Sequence, residues 1–132
     1  MKWSRLPADG FIEARGARLE FKYAQRNADD DAALVFLHEG LGCVGMWRNF
    51  PAQLADATNV SMFAYSRMGY GRSDPTALPR SPRFMHDEAI AVLPKVLAFA
   101  GFKRVIYVGH SDGASIALIN AAQAAPASLV GM

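Results

Sequence analysis

At 132 residues the chain holds one hydrophobic core and no more, and its 52% hydrophobic and 20% charged content describes a soluble globular protein, not a disordered one. Its 14 basic and 12 acidic residues leave a net charge of +2, scattered with no basic block or aromatic-interleaved basic stripe, so nothing argues for nucleic acid. The opening MKWSRLPADGF has two early positive charges but no apolar run behind them, which excludes a secretory signal, and no apolar run approaches the length of a membrane span.

Phe11 to Arg15 and Arg18 to Tyr23 alternate apolar and polar residues around Gly16, which predicts an antiparallel hairpin. Asn27 to Asp31 is a polar turn, and Ala32 to Leu37 is a continuous apolar run, the mark of a strand buried on both faces of a parallel sheet. The stretch Met46 to Ala57 sets Met46, Trp47, Phe50, Leu54 and Ala57 near helical spacing, with Pro51 in the first turn. Val60 to Tyr65 reads as a further strand, and Ser66 to Pro82, rich in Gly, Pro, Ser and Arg, as a loop. From Phe84 to Ala100, Ile90, Leu93, Val96, Leu97 and Ala100 form one helical stripe, kinked by Pro94 and closed by Gly101 at its C′ position. A strand over Val105 to Val108, a helix to about Ala125 and an apolar run from Ala127 to Met132 complete the chain.

A hairpin followed by alternating strands and helices predicts an α/β fold: a mostly parallel central sheet, helices on both faces, and an amino-terminal antiparallel hairpin. Ligands of such sheets bind beyond the carboxyl ends of the strands. The loops that leave those ends, His38 to Gly45, Ser66 to Ser73 and His110 to Gly113, hold the chemistry-capable residues of the chain. The last apolar run stops inside what reads as a strand, so the expectation is a truncated chain whose exposed sheet edge favours self-association. The lone Cys43 has no partner for an internal disulfide, which fits a reducing, cytoplasmic setting.

The densest signal is Lys103 to Ser115, KRVIYVGHSDGAS. A β-branched and aromatic run leads into Gly109-His110-Ser111-Asp112-Gly113, and a small-residue helical pattern follows at once. Strand, G-x-S-x-G, helix is the context of a nucleophile elbow. A strand turning directly into a helix strains the corner residue and aims its side chain out of the sheet, while the flanking positions, Gly109 and Gly113, have to be nearly bare. Ser111 is the candidate nucleophile; a helix N-cap is the plainer role for a serine there, but a cap does not require both glycines.

Three segments together resemble the α/β-hydrolase fold family. Leu34 to Gly42 (LVFLHEGLG) looks like its strand ending in H-G-x-x-G, Ser66 to Asp74 (SRMGYGRSD) is similar to its D-x-x-G-x-G-x-S loop, and the elbow is the third. Glu39 stands where the family usually has Gly, and Ser66 where Asp is usual. The resemblance implies that residues 1–132 are the amino-terminal part of a single core domain, with the strand ending at His38 lying between those ending at Tyr65 and Gly109. It also implies a serine hydrolase that cleaves an ester, thioester or activated C–C bond of a small molecule through an acyl-serine. The oxyanion would be met by the backbone N–H of Asp112 and that of Gly40 or Leu41, and the acid and His of the triad would lie beyond Met132, leaving this chain by itself inactive. A serine at the elbow argues against the branches whose nucleophile is an Asp, the epoxide hydrolases and dehalogenases. The alternative is a non-catalytic relative that binds a small molecule.

No residue here is a convincing triad partner. His110 adjoins Ser111 across a sharp turn, so its imidazole is expected to project away; His38 is expected to hydrogen-bond and fix the oxyanion loop, and His86 to sit on a solvated face. The Asp112 side chain is expected to leave the turn on the wrong side for an orienting acid, and Asp74 and Asp87 read as loop or cap residues. No H-E-x-x-H spacing supports a metal, no G-x-G-x-x-G opens a helix after the first parallel strand, and no cofactor is expected. Cys43 has no positioned His–acid pair, and Met46, Trp47, Phe50, Phe84 and Met85 are candidates either for an apolar pocket or for core.

Overall fold

The computed structural model describes residues 6–27 and 31–132. Residues 28–30 of the expected polar turn lie outside the described residues, as do the first five. Strands β1 (Asp9–Ala14) and β2 (Ala17–Ala24) form the expected hairpin, joined by Arg15 and Gly16 at φ 52° and 80°. Two successive positive φ values make the tight turn whose twist matches the strands it joins, and Gly at the second costs nothing sterically. β3 (Ala32–Leu37) is buried at all six positions, as the unbroken apolar run requires. β4 (Ser61–Tyr65), β5 (Arg104–Gly109) and β6 (Leu129–Gly131) complete a six-stranded sheet in the order β1-β2-β4-β3-β5-β6, antiparallel across β1, β2 and β4 and parallel from β4 onward.

Side chains alternate across the sheet with period two, and each face has its own helices. Ala33, Val35 and Leu37 point into a cluster with Leu93, Val96, Leu97, Ile116 and Ala117, whereas Leu34 and Phe36 meet Ala55, Met62 and Val44 on the other face. Ala55 comes from α1 (Phe50–Thr58), Leu93, Val96 and Leu97 from α3 (Leu93–Ala100), and Ile116 and Ala117 from α4 (Asp112–Gln123); the short α2 (Phe84–Asp87) precedes α3. Among the described residues no helix is long and apolar enough to cross a membrane.

One expectation is corrected and one refined. The helix expected from Met46 begins only at Phe50: Val44–Trp47 is a separate 3-10 turn, and Arg48 at φ 53° breaks the chain between them. Tertiary contacts outweigh the helical spacing, because the Trp47 ring packs edge-on to Phe36 at 5.2 Å and against Phe50 at 6.1 Å. Pro94 lies inside an unbroken helical run over 84–100, as expected, but the distortion is a π turn over Glu88–Val92 with Pro94 in the first turn of α3 that follows it. In that turn the Leu93 N–H reaches the Glu88 carbonyl, which leaves the Ala89 carbonyl facing a proline nitrogen that carries no proton. The buried Asn120 amide of α4 donates to Ala89 O at 2.9 Å, and its own oxygen accepts from the Tyr107 hydroxyl at 2.6 Å. The wide turn is therefore satisfied from the neighbouring helix. Gly101 ends α3 at φ 74° in the expected left-handed conformation.

Candidate active site

Leu37 pairs with Tyr65 on one side and with Gly109 on the other, so the loops leaving β3, β4 and β5 begin at one level of the sheet. Ser111 stands at the corner between β5 and α4 with φ 55° and ψ −115°, a region that residues with a Cβ rarely enter. Its side chain makes no capping bond to α4, so the N-cap role is not taken, and the residue is exposed.

The neighbouring positions explain the glycines. A Cβ on Gly109 would lie 2.7 Å from Ala114 Cα and 2.8 Å from the Gly113 carbonyl oxygen. One on Gly113 would overlap the Leu37 carbonyl and stand 2.8 Å from His38 O. Both obstacles are backbone and cannot yield. The His110 N–H donates to Leu37 O at 3.1 Å and the Gly113 N–H to His110 O at 2.9 Å, closing the turn against β3.

The loop after β3 is held by side chains. His38 is 2% exposed; its Nδ1 lies 2.7 Å from Glu39 O, and its Nε2 lies 3.0 Å from the Arg67 backbone N–H. An N–H can only donate, so Nε2 is the acceptor and the ring proton is on Nδ1, donated to Glu39 O. Burial, helped by the Arg67 charge, lowers the His38 pKa to about 4, which keeps this neutral tautomer. With both nitrogens committed, His38 is a structural residue of the loop. The Arg67 guanidinium donates to His38 O at 2.6 Å and to Glu39 O at 3.3 Å.

Ser66 and Glu20 share a second attachment. The Ser66 hydroxyl accepts from the Val44 N–H at 2.9 Å and donates to Glu20 Oε1 at 2.8 Å, and that oxygen also accepts from the Arg72 N–H at 3.0 Å. The carboxylate that Ser66 lacks comes from β2, with the hydroxyl as relay. Glu20 and Arg67 carry no motif in sequence; they face the loop only after the chain has folded.

Of the backbone donors near Ser111, the Leu41 N–H donates to the Glu39 carboxylate. Those of Gly40 and Asp112 have no acceptor among the described residues. The two segments are adjacent, since a Cβ on Gly40 would stand 2.7 Å from Asp112 Oδ2; that carboxylate lies against the loop after β3. The exposed His110 ring lies 6.4 Å from that of Trp47 and, with His38, Glu39, Gly42, Cys43 and Met46, they line a cavity of about 120 Å³.

The other candidates lie elsewhere. Asp74 pins its loop to β2, accepting from the Arg18 N–H at 2.9 Å, and His86 is half-buried on α2, not on a fully solvated face. Phe84 lines a larger cavity of about 470 Å³ between the hairpin, the loop after β4 and α2, whereas Phe50 packs on Phe36 and Trp47, and Met85 packs against the core. Among the described residues no group of three or more His, Cys, Asp or Glu is placed to hold a metal ion.

With that geometry in place, comparison with known proteins is specific. The Alpha/beta hydrolase family matches residues 34–131. Human (lyso)-N-acylphosphatidylethanolamine lipase is 31% identical over 90 residues, which are 67% of this chain and 25% of that protein, and the mouse enzyme matches at 32% over 89 residues. The chain spans about a quarter of the length of these curated relatives. Epoxide hydrolase A of Mycobacterium thermoresistibile superposes at TM-score 0.73 and 26% identity, over 96% of this chain and 39% of that one. A predicted CIB-like hydrolase of Thermoplasma acidophilum reaches TM-score 0.76 at 16% identity, over 93% and 60%, a likeness of fold. Strand order, elbow and family match agree: the chain belongs to the alpha/beta hydrolase family.

Proposed function

We propose that this chain carries the nucleophile and the oxyanion-binding loop of a serine hydrolase, acting through an acyl-serine on a small ester, thioester or activated C–C substrate. The observation that carries the reading is the elbow. Ser111 is held at φ 55° with an uncapped, exposed side chain, beside two backbone amides, Gly40 and Asp112, that have no acceptor among the described residues. In the reaction Ser111 Oγ would attack the carbonyl carbon while a histidine beyond Met132 takes its proton. The carbonyl oxygen, now an anion, would accept from the Asp112 and Gly40 N–H groups; the Leu41 N–H is already given to Glu39. Collapse would expel the leaving group with the proton from that histidine, and water would then release the acyl group by the same steps.

The strain at Ser111 costs about 1–3 kcal/mol; Arg48 at φ 53° and ψ −127° bears the same strain, so what supports the nucleophile reading is the strain together with the flanking glycines and the two open amides. Relatives named as lipases, at about 31% identity, favour an ester among the three bonds. The test is fluorophosphonate labelling of the full-length protein. Ser111 should be the labelled residue, and Ser111→Ala should abolish label and lower ester turnover by a factor on the order of 10⁶. An unlabelled wild type, beside an esterase that reacts under the same conditions, would leave the non-catalytic binding protein as the reading.

A further inference from the structure

We propose that Arg67 is the positioning residue of the oxyanion loop: its side chain aims the Gly40 N–H by holding the other end of the same peptide group. The inference rests on the serine-hydrolase reading. A peptide unit is planar and trans, so the Glu39 carbonyl and the Gly40 N–H point in opposite directions and turn together. Whatever holds Glu39 O therefore sets the direction of the Gly40 donor. That oxygen is held three times, by His38 Nδ1 at 2.7 Å, by the Gly42 N–H of its own turn at 3.1 Å and by Arg67 Nη2 at 3.3 Å, and Arg67 is the only one of the three that also fixes the preceding carbonyl.

Arg67 also governs the first of these holds. Its backbone N–H donates to His38 Nε2 at 3.0 Å, which puts the imidazole proton on Nδ1, the nitrogen that faces Glu39 O. Its Nη1 meanwhile fixes the preceding carbonyl, His38 O, at 2.6 Å. The placement is expensive for mere packing. Arg67 is 5% exposed, and among the described residues no carboxylate reaches it at ion-pair distance; its charge is met by two carbonyl oxygens, by the Tyr70 ring at 5.1 Å and, from farther off, by the buried Glu88 carboxyl. A buried guanidinium with no carboxylate in direct contact is retained at a cost in stability, and a planar fork is the side chain that spans two carbonyls at once.

The test compares wild type, Arg67→Lys and Arg67→Gln in the full-length protein, reading kcat and KM on a small p-nitrophenyl ester and the rate of fluorophosphonate labelling. Arg67→Gln should lower kcat and the labelling rate together by about 100-fold, the size of a lost oxyanion donor, with KM within about threefold. Arg67→Lys, which keeps the charge but reaches one carbonyl, should lose about tenfold, on the same scale. A role in stability alone would lower the melting temperature and leave both rates, measured below it, unchanged; that result overturns the proposal, as does a loss confined to KM. If Arg67→Gln does not fold, Arg67→Lys decides alone, and an undiminished labelling rate overturns the proposal. Ser111→Ala separates the two levels: if it still labels, the hydrolase reading fails and the proposal with it; if it does not and both Arg67 variants label normally, the Arg67 proposal alone fails.

Discussion

The elbow and the loop after β3 leave neighbouring strands at the same level, and they are held by different means. At the elbow the chain restrains itself: Gly109 and Gly113 lie against backbone atoms, and the turn is closed by the His110 and Gly113 amides. The loop after β3 is restrained by side chains from far along the chain, Arg67 at a separation of 29 residues and Ser66 at 22, with Glu20 a further 46 residues from Ser66. Backbone restraint tolerates no substituent. Side-chain restraint tolerates exchange of parts, which is how a serine and a distant glutamate together supply a carboxylate to this loop.

The largest difference should appear on adding one methyl group to the elbow. Gly113→Ala would drive its Cβ into the Leu37 carbonyl of the central strand, and a loss above about 3 kcal/mol in urea unfolding, or failure to fold, is expected. A loss under about 1 kcal/mol would mean that the turn yields as a side chain does.

In the loop after β3 the largest expected effect is a titration. The folded-state pKa of His38, about 4, lies below its ordinary value of 6.5, so the stability it contributes is complete above pH 6.5 and is lost as pH falls toward 4. The full span is about 3 kcal/mol. An NMR titration should find the ring neutral to about pH 4; an ordinary midpoint near 6.5 would show that the loop does not hold it.

Smaller still is the shared carboxylate. Glu20→Ala leaves the Ser66 hydroxyl and the Arg72 N–H without their acceptor and should cost about 1–3 kcal/mol. A double-mutant cycle with Ser66→Ala should return a coupling of about 1 kcal/mol; additive losses would dissolve the relay. The smallest effect runs the other way. Ser111→Gly removes the strain of a Cβ at φ 55° and should raise stability by about 1 kcal/mol, net of the entropy of glycine, while removing the proposed nucleophile. Unchanged or lower stability would mean that the corner stores no strain.

These differences also explain what could be read in advance. The hairpin turn, the doubly buried run at β3, the cap at Gly101 and the elbow are local: each depends on residues next to one another, whose steric limits travel with the sequence. The position of β3 between β4 and β5 came from resemblance, and the observed strand order agrees with it. The start of α1 was misread because helical spacing ignores Phe36, against which Trp47 packs, and the π turn before Pro94 was not foreseen because the amide that satisfies Ala89 belongs to α4.

By itself, then, the sequence determined the elements that obey near-neighbour rules and the residue, Ser111, that stands where those rules are strained. Tertiary structure alone decided which donors around it are free: the Leu41 amide is taken by Glu39, while the Gly40 and Asp112 amides are not. It likewise decided that His38 carries its proton on Nδ1, because the Arg67 amide that fixes the tautomer arrives from another strand. Hydrogen bonds between residues tens of positions apart leave no periodicity in sequence. They exist only when the sheet has brought the ends of β3, β4 and β5 together.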